Sequence, residues 1–222
     1  GGLKSASKYT LSVRAEDAAG NLSKAITVVG QTADVSAPSW ALQSELTVSA
    51  IGENTATLSW TPALDNMAVA TYRVMQQKTV LAEVTSTSAE LTELDPWTEY
   101  TVAIIALDAA GNKSKTGPEA VFKTTDETAP GFADGAAIQS TNISPSSLTL
   151  TWPQANDNVE VSGYEVLRDL VVVAQTTLRT TTVDNLSPGT EYTFSVRATD
   201  PAGNQSTNSP ELTVNTADTK AP

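Results

Sequence analysis

The chain has no cysteine and no histidine, and only 5% of its 222 residues are aromatic. Lacking cysteine, it cannot use disulfides to brace a fold and has no thiolate nucleophile or metal ligand. Lacking histidine as well, it has none of the usual acid–base and nucleophilic triads, and paired carboxylates are left as the catalytic option. No apolar run approaches the roughly 20 residues that span a bilayer, so membrane insertion is not expected. Basic residues are scarce too: 13 against 25 acids, a formal charge of −12. That balance opposes binding to a nucleic-acid backbone, which needs a basic face, and makes cations the natural small partners. It also fits a surface kept soluble by net charge. There is no Arg-Gly-Asp and no glycine-rich phosphate loop, which removes support for integrin attachment and nucleotide binding. No signal peptide is visible, but the first residues read as the middle of a module, so this says nothing about secretion.

What is present is repetition. Tyr100 to Ser114 is an alternating stretch that ends in Asp108-Ala-Ala-Gly111-Asn112, and it recurs as Tyr9 to Ser23 and Tyr192 to Ser206. In the third copy Tyr192, Phe194, Val196 and Ala198 face one way and Thr193, Ser195, Arg197 and Thr199 the other, the period of a half-buried strand. The glycine admits positive φ and the aspartate can accept amides of its own turn, so the chain reverses there. Other landmarks recur at a spacing of 92: Trp60 with Trp152, Asp65-Asn66 with Asp157-Asn158, Tyr72 with Tyr164, and Leu94-x-Pro96 with Leu186-x-Pro188.

This ruler defines one module over residues 34–125 and a second over 126–217, with 218–222 beginning the next linker. Residues 1–33 hold only the last two strands of an earlier module, in which Leu3 and Tyr9 correspond to Leu94 and Tyr100. Ala37-Pro38, Ala129-Pro130 and Ala221-Pro222 mark repeat edges, so further modules are expected as neighbours in the parent chain. A lone hairpin is marginal in water, so residues 1–33 are expected to be loosely held.

Alternation predicts seven strands per module, near 40–50, 54–61, 69–76, 79–84, 87–92, 98–107 and 115–124. In the later module they fall near 132–142, 147–152, 161–168, 170–176, 179–184, 190–199 and 207–216. The fold class is all-β: tandem seven-stranded Greek-key sandwiches preceded by a partial module.

A Trp on the second strand, a Tyr on the third, and Leu-x-Pro-x-x-x-Tyr entering the sixth, without cysteine, resemble fibronectin type III domains. Asp-Asn after the Trp and Asp-x-Ala-Gly-Asn-x-Ser after the sixth strand resemble the variant found in bacterial secreted and surface proteins. The resemblance implies that the hydroxyls of Tyr100 and Tyr192 bond back to backbone near Leu94 and Leu186, and that Trp60 and Trp152 fill the two cores. It also implies non-catalytic spacer and binding roles.

In that fold the loops after strands two and six meet the start of the module. Asp126, Glu127, Asp157, Asn158, Asp200 and Asn204 are therefore expected at one pole of the later module. Asp34, Asp65, Asn66, Asp108 and Asn112 are expected at that pole of the earlier one, where Val35 replaces Glu127. These are hard oxygen donors suited to calcium, which would stiffen the array between modules. Alternatively, each Asp and Asn only stabilises its own turn, and no cofactor is bound. Duplication of the Asp65/Asp108 and Asp157/Asp200 pairs in both modules favours such structural devices over catalysis.

Trp97, which stands where Gly189 stands, is expected to cover the linker or Phe132, with stacking on a sugar as the alternative. Trp40 is expected at a core edge or an interdomain contact. The sequence thus favours a non-catalytic stalk of an extracellular modular protein, such as a surface array, adhesin or filament. Its partners would be further modules of the same chain, other surface proteins or polysaccharide. The alternative is a spacer and accessory binding segment of a secreted polysaccharide-degrading enzyme.

Overall fold

The computed structural model describes residues 2–219, so the Ala221-Pro222 repeat edge and part of 218–222 lie outside the described residues. All regular structure within them is β, and no helix there is long and apolar enough to cross a membrane. Two compact units form. One runs to Leu94 and includes Thr98–Thr124; the other takes Asp95–Trp97 and the chain from Thr125 onward.

The first unit opens with a hairpin of β1 (Lys8–Val13) and β2 (Ile26–Gln31). The module after it has a three-stranded sheet in the order β3 (Leu46–Ser49), β4 (Ala56–Trp60), β7 (Ser88–Leu91). Its second sheet, of four strands, is ordered β6 (Thr79–Val84), β5 (Val69–Gln76), β8 (Glu99–Asp108), β9 (Glu119–Lys123). The second unit repeats this plan. Its small sheet is β10 (Gln139–Thr141), β11 (Leu148–Thr151), β14 (Thr180–Val183), and its large sheet is β13 (Val171–Thr176), β12 (Gly163–Arg168), β15 (Glu191–Thr199), β16 (Glu211–Asn215). Inward side chains from both sheets interdigitate, and Leu58, Val74, Val102 and Ile104 in the first module and Leu148, Val166, Phe194 and Val196 in the second are fully buried.

The first strands are much shorter than the sequence suggested, because the expected 40–50 and 132–142 runs are each broken. Ser39 forms only an isolated bridge with Leu64, a turn closes from Ser44 N–H to Ala41, and pairing resumes at Leu46. Gly131, Asn156, Ala136 and Ala133 do the same in the second module before β10. The last strands also start late. Pro118 and Pro210 offer only a carbonyl to the ladder, each accepting a bond of 3.2 Å from Ile104 or Val196, and β9 and β16 begin one residue beyond.

Trp60 and Trp152 are buried and meet Tyr72 and Tyr164 edge-on at 5.6 and 5.7 Å. The Tyr192 hydroxyl accepts a bond from Ser187 N–H at 2.9 Å, next to Leu186, and Tyr9 does the same with Lys4 at 2.7 Å. The corner therefore forms in the isolated hairpin too, so it is a local property of Leu-x-Pro-x-x-x-Tyr-like spacing and needs no sandwich.

The hairpin leaves Leu11, Val13, Ile26, Val28 and Val29 more than half exposed. Its backbone bonds thus have little apolar cover, and local opening is cheap. Amides of residues 8–13 and 26–31 should exchange with deuterium much faster than those of residues 99–108. Equal protection in the two sets, measured by mass spectrometry on the intact chain, would overturn this expectation.

Candidate metal centre

Each complete module gathers three aspartates where its chain begins. In the second, one carboxylate oxygen from each of Asp126, Asp157 and Asp200 lies within 4.8 Å of the others, and in the first Asp34, Asp65 and Asp108 do the same. The three contributors come from the incoming segment, the loop after the second strand, and the turn after β8 or β15. Their meeting reflects the sandwich topology, because no pair of them is close in sequence.

The turns are built by one part of each carboxylate. Asp200 Oδ1 accepts Gly203 N–H at 2.7 Å and Asn204 N–H at 2.8 Å, while Gly203 takes φ +96°. Asp157 Oδ2 accepts Val159 and Glu160 N–H at 2.9 and 3.0 Å. Asp126 Oδ1 accepts Thr128 N–H at 3.2 Å and the Asn158 amide at 3.3 Å. That leaves Asp126 Oδ2 and Asp157 Oδ1, both shut off from solvent and without a hydrogen-bond partner. Burial first, with repulsion from Asp157 and Asp200, pushes the Asp126 carboxyl above the ordinary aspartate value, against the bonds from Asn158 and Thr128.

The amide nitrogens of the asparagines act as donors. The Asn204 amide nitrogen faces only acceptors: Asp200 Oδ2 at 2.7 Å, the Asp126 carbonyl at 2.9 Å and the Thr128 carbonyl at 3.5 Å. It ties the turn to the incoming segment. Asn112 does the same with Asp108 Oδ2 and the Asp34 and Ser36 carbonyls, and Asn66 donates to Asp34 Oδ1 at 3.2 Å. Glu127 is exposed, bonds to Thr125 and stands outside the acidic group, so its replacement by Val35 removes nothing from the first cluster.

The clusters differ in burial. Asp34 is half-buried and accepts a bond from Ser5 Oγ at 2.8 Å, and the bonds from Ser36 N–H and Ser5 hold its carboxyl below the ordinary value. Asp126 is only 6% exposed. In the hairpin, Asp17 and Asn21 form the same turn, and among the described residues no group of three acids gathers there; Oδ1 takes Ala19 and Asn21 N–H at 3.0 and 2.8 Å. The turn alone therefore needs one aspartate.

The aromatic candidates divide differently. Phe132 is buried in its own module's core, 6.3 Å from Tyr164. Trp40 packs at the edge of the first module's core, 6.1 Å from Tyr72, with its indole N–H on Ser114 Oγ at 3.2 Å. Trp97 is half-buried at φ +49°, the left-handed conformation that Gly189 takes at +57°. For a bulky residue this conformation costs about 1–2 kcal/mol.

The fibronectin type III domain model matches residues 36–122 and 134–215. Chitinase A1 of Niallia circulans is 37% identical over 169 residues, covering 74% of this chain and 24% of that protein. Exoglucanase B of Cellulomonas fimi is 34% identical over 230 residues, covering 97% and 21%, and exoglucanase A of the same organism is 37% identical over 226, covering 94% and 25%. The chain thus spans about a quarter or less of the length of these relatives.

Proposed function

Because the chain belongs to the fibronectin type III family, whose domains are non-catalytic modules, we propose that residues 34–217 are a spacer and accessory segment of a secreted polysaccharide-degrading enzyme. One observation carries this reading: nearly the whole chain aligns with parts of proteins named as exoglucanases, and most of it with a chitinase. A repeat of 92 residues would fit a surface array, adhesin or filament equally well. The relatives favour the glycan-degrading context. Chitin and similar polymers are insoluble and met outside the cell, which supports an extracellular placement and a role in holding a catalytic domain at a polymer surface. With no histidine or cysteine to contribute, the modules would act by geometry and contact.

The test is to read the parent gene and assay its product with and without residues 34–217. A flanking hydrolase domain is expected. Deletion should slow hydrolysis of the insoluble polymer several-fold and leave a soluble oligosaccharide cleaved at the same rate. A parent made only of further modules, or a deletion without effect on the insoluble polymer, would overturn the reading.

A further inference from the structure

We propose that Asp126, Asp157 and Asp200 form a divalent-cation site in the second complete module, and that its ion is calcium. Two oxygens on opposite sides of one calcium stand about 4.6–5.2 Å apart, twice the usual ligand distance. The three clustered oxygens lie within 4.8 Å of one another, so a single ion can reach all of them. The second observation is independent of the clustering. Asp126 is 94% buried, and its Oδ2 has neither water access nor a donor; Asp157 Oδ1 is in the same condition. Buried carboxylate oxygens are ordinarily hydrogen-bonded, and a pair left bare in one acidic cluster calls for a cation.

Turn formation does not account for these oxygens. The other oxygen of Asp126 and of Asp157 already holds the local backbone, and the hairpin copy forms its turn with Asp17 and Asn21 alone. Those same bonds fix the carboxylates in advance, so an ion would arrive at an arranged set of ligands. Calcium suits them better than magnesium. Three carboxylates from separate loops make an irregular set, completed by water or carbonyl oxygen, whereas magnesium demands near-ideal octahedral geometry and gives up water reluctantly.

The experiment is a calorimetric titration of the chelator-treated chain with calcium chloride, alongside Asp157→Asn and Asp65→Asn variants and a magnesium control. Asparagine at 157 keeps an oxygen for the Val159 and Glu160 amides and removes the charge, so circular dichroism should show both variants folded. Calcium should bind, with a melting midpoint that climbs as the ion concentration rises. Asp157→Asn should weaken that binding at least about tenfold, and without calcium it should melt no lower than the native chain, since a repelling charge has gone. Asp65→Asn should retain the tight event. No heat up to about 10 mM calcium, or binding lost in Asp65→Asn but intact in Asp157→Asn, would overturn the assignment. Equal or tighter binding of magnesium would overturn the choice of ion.

Discussion

Replacing Trp152 with alanine should lower the stability of its module by about 3–5 kcal/mol, and Trp60→Ala should do the same in the first module. Each indole is buried beside side chains that are themselves fully enclosed, Leu150 or Leu58, and presents its edge to Tyr164 or Tyr72. Truncation leaves a cavity in a core bounded by two paired sheets, which cannot close on it freely. The loss extends past the cavity. The Tyr164 hydroxyl accepts Ala155 N–H at 3.2 Å, and Tyr72 accepts Ala63 N–H at the same distance, so a loosened ring releases the loop that leads to Asp157 or Asp65. The indole N–H groups are buried without partners, so Trp152→Phe removes an unsatisfied donor and should lose much less than alanine does. Calorimetry should show the affected transition falling by about 4–8 °C for each kcal/mol lost. A Trp152→Ala midpoint within about 2 °C of the native value would take the indole out of its core role.

The period of 92 made most of this legible, because one register error would have displaced Trp60, Tyr72 and Leu94 from their partners Trp152, Tyr164 and Leu186 together. Alternation alone located the interior of β5, β8, β12 and β15, but not the bulges at Val74/Met75 and Val166/Leu167, where the pairing with the neighbouring edge strand shifts. It failed on the first strands. The bridge at Ser39 and the turn closed by Ser44 depend on hydrogen bonds to Leu64 and Ala41, which leave no mark on the apolar pattern. The acidic pole was visible as residue types, since hard donors recur after strands two and six. Their division of labour was not visible, because it depends on which oxygen of Asp126 or Asp157 meets the backbone and on the Asn204 amide facing three acceptors. Glu127 looked equivalent to its neighbour in sequence. In the incoming segment it is exposed and accepts a bond from Thr125.

The exchange of Trp40 and Gly117 for Phe132 and Ser209 is a matched pair across the modules, and breaking the match should be costly. A Cβ at Gly117 would come within 2.3 Å of Trp40 Cε2 and 2.6 Å of Cζ2 and Nε1, closer than packed atoms tolerate. The indole has little room to retreat. It packs against the core near Tyr72 and donates to Ser114 Oγ, which also accepts Ala106 N–H at 3.0 Å. The smaller Phe132 ring stands where the indole would be, and the chain there is pinned by Asn208, whose side chain accepts Phe132 N–H at 3.1 Å and donates to its carbonyl at 2.6 Å. Gly117→Ser alone should therefore destabilise the first module by about 1–3 kcal/mol through overpacking. Trp40→Phe alone should cost something too, by shrinking the ring and removing the bond to Ser114. The double variant reproduces the pairing of the second module, so its loss should be smaller than the sum of the two single losses by at least about 0.5 kcal/mol. Urea midpoints of the four chains close the cycle. If the losses simply add, the 2.3 Å contact does not constrain the pair and the two positions vary independently.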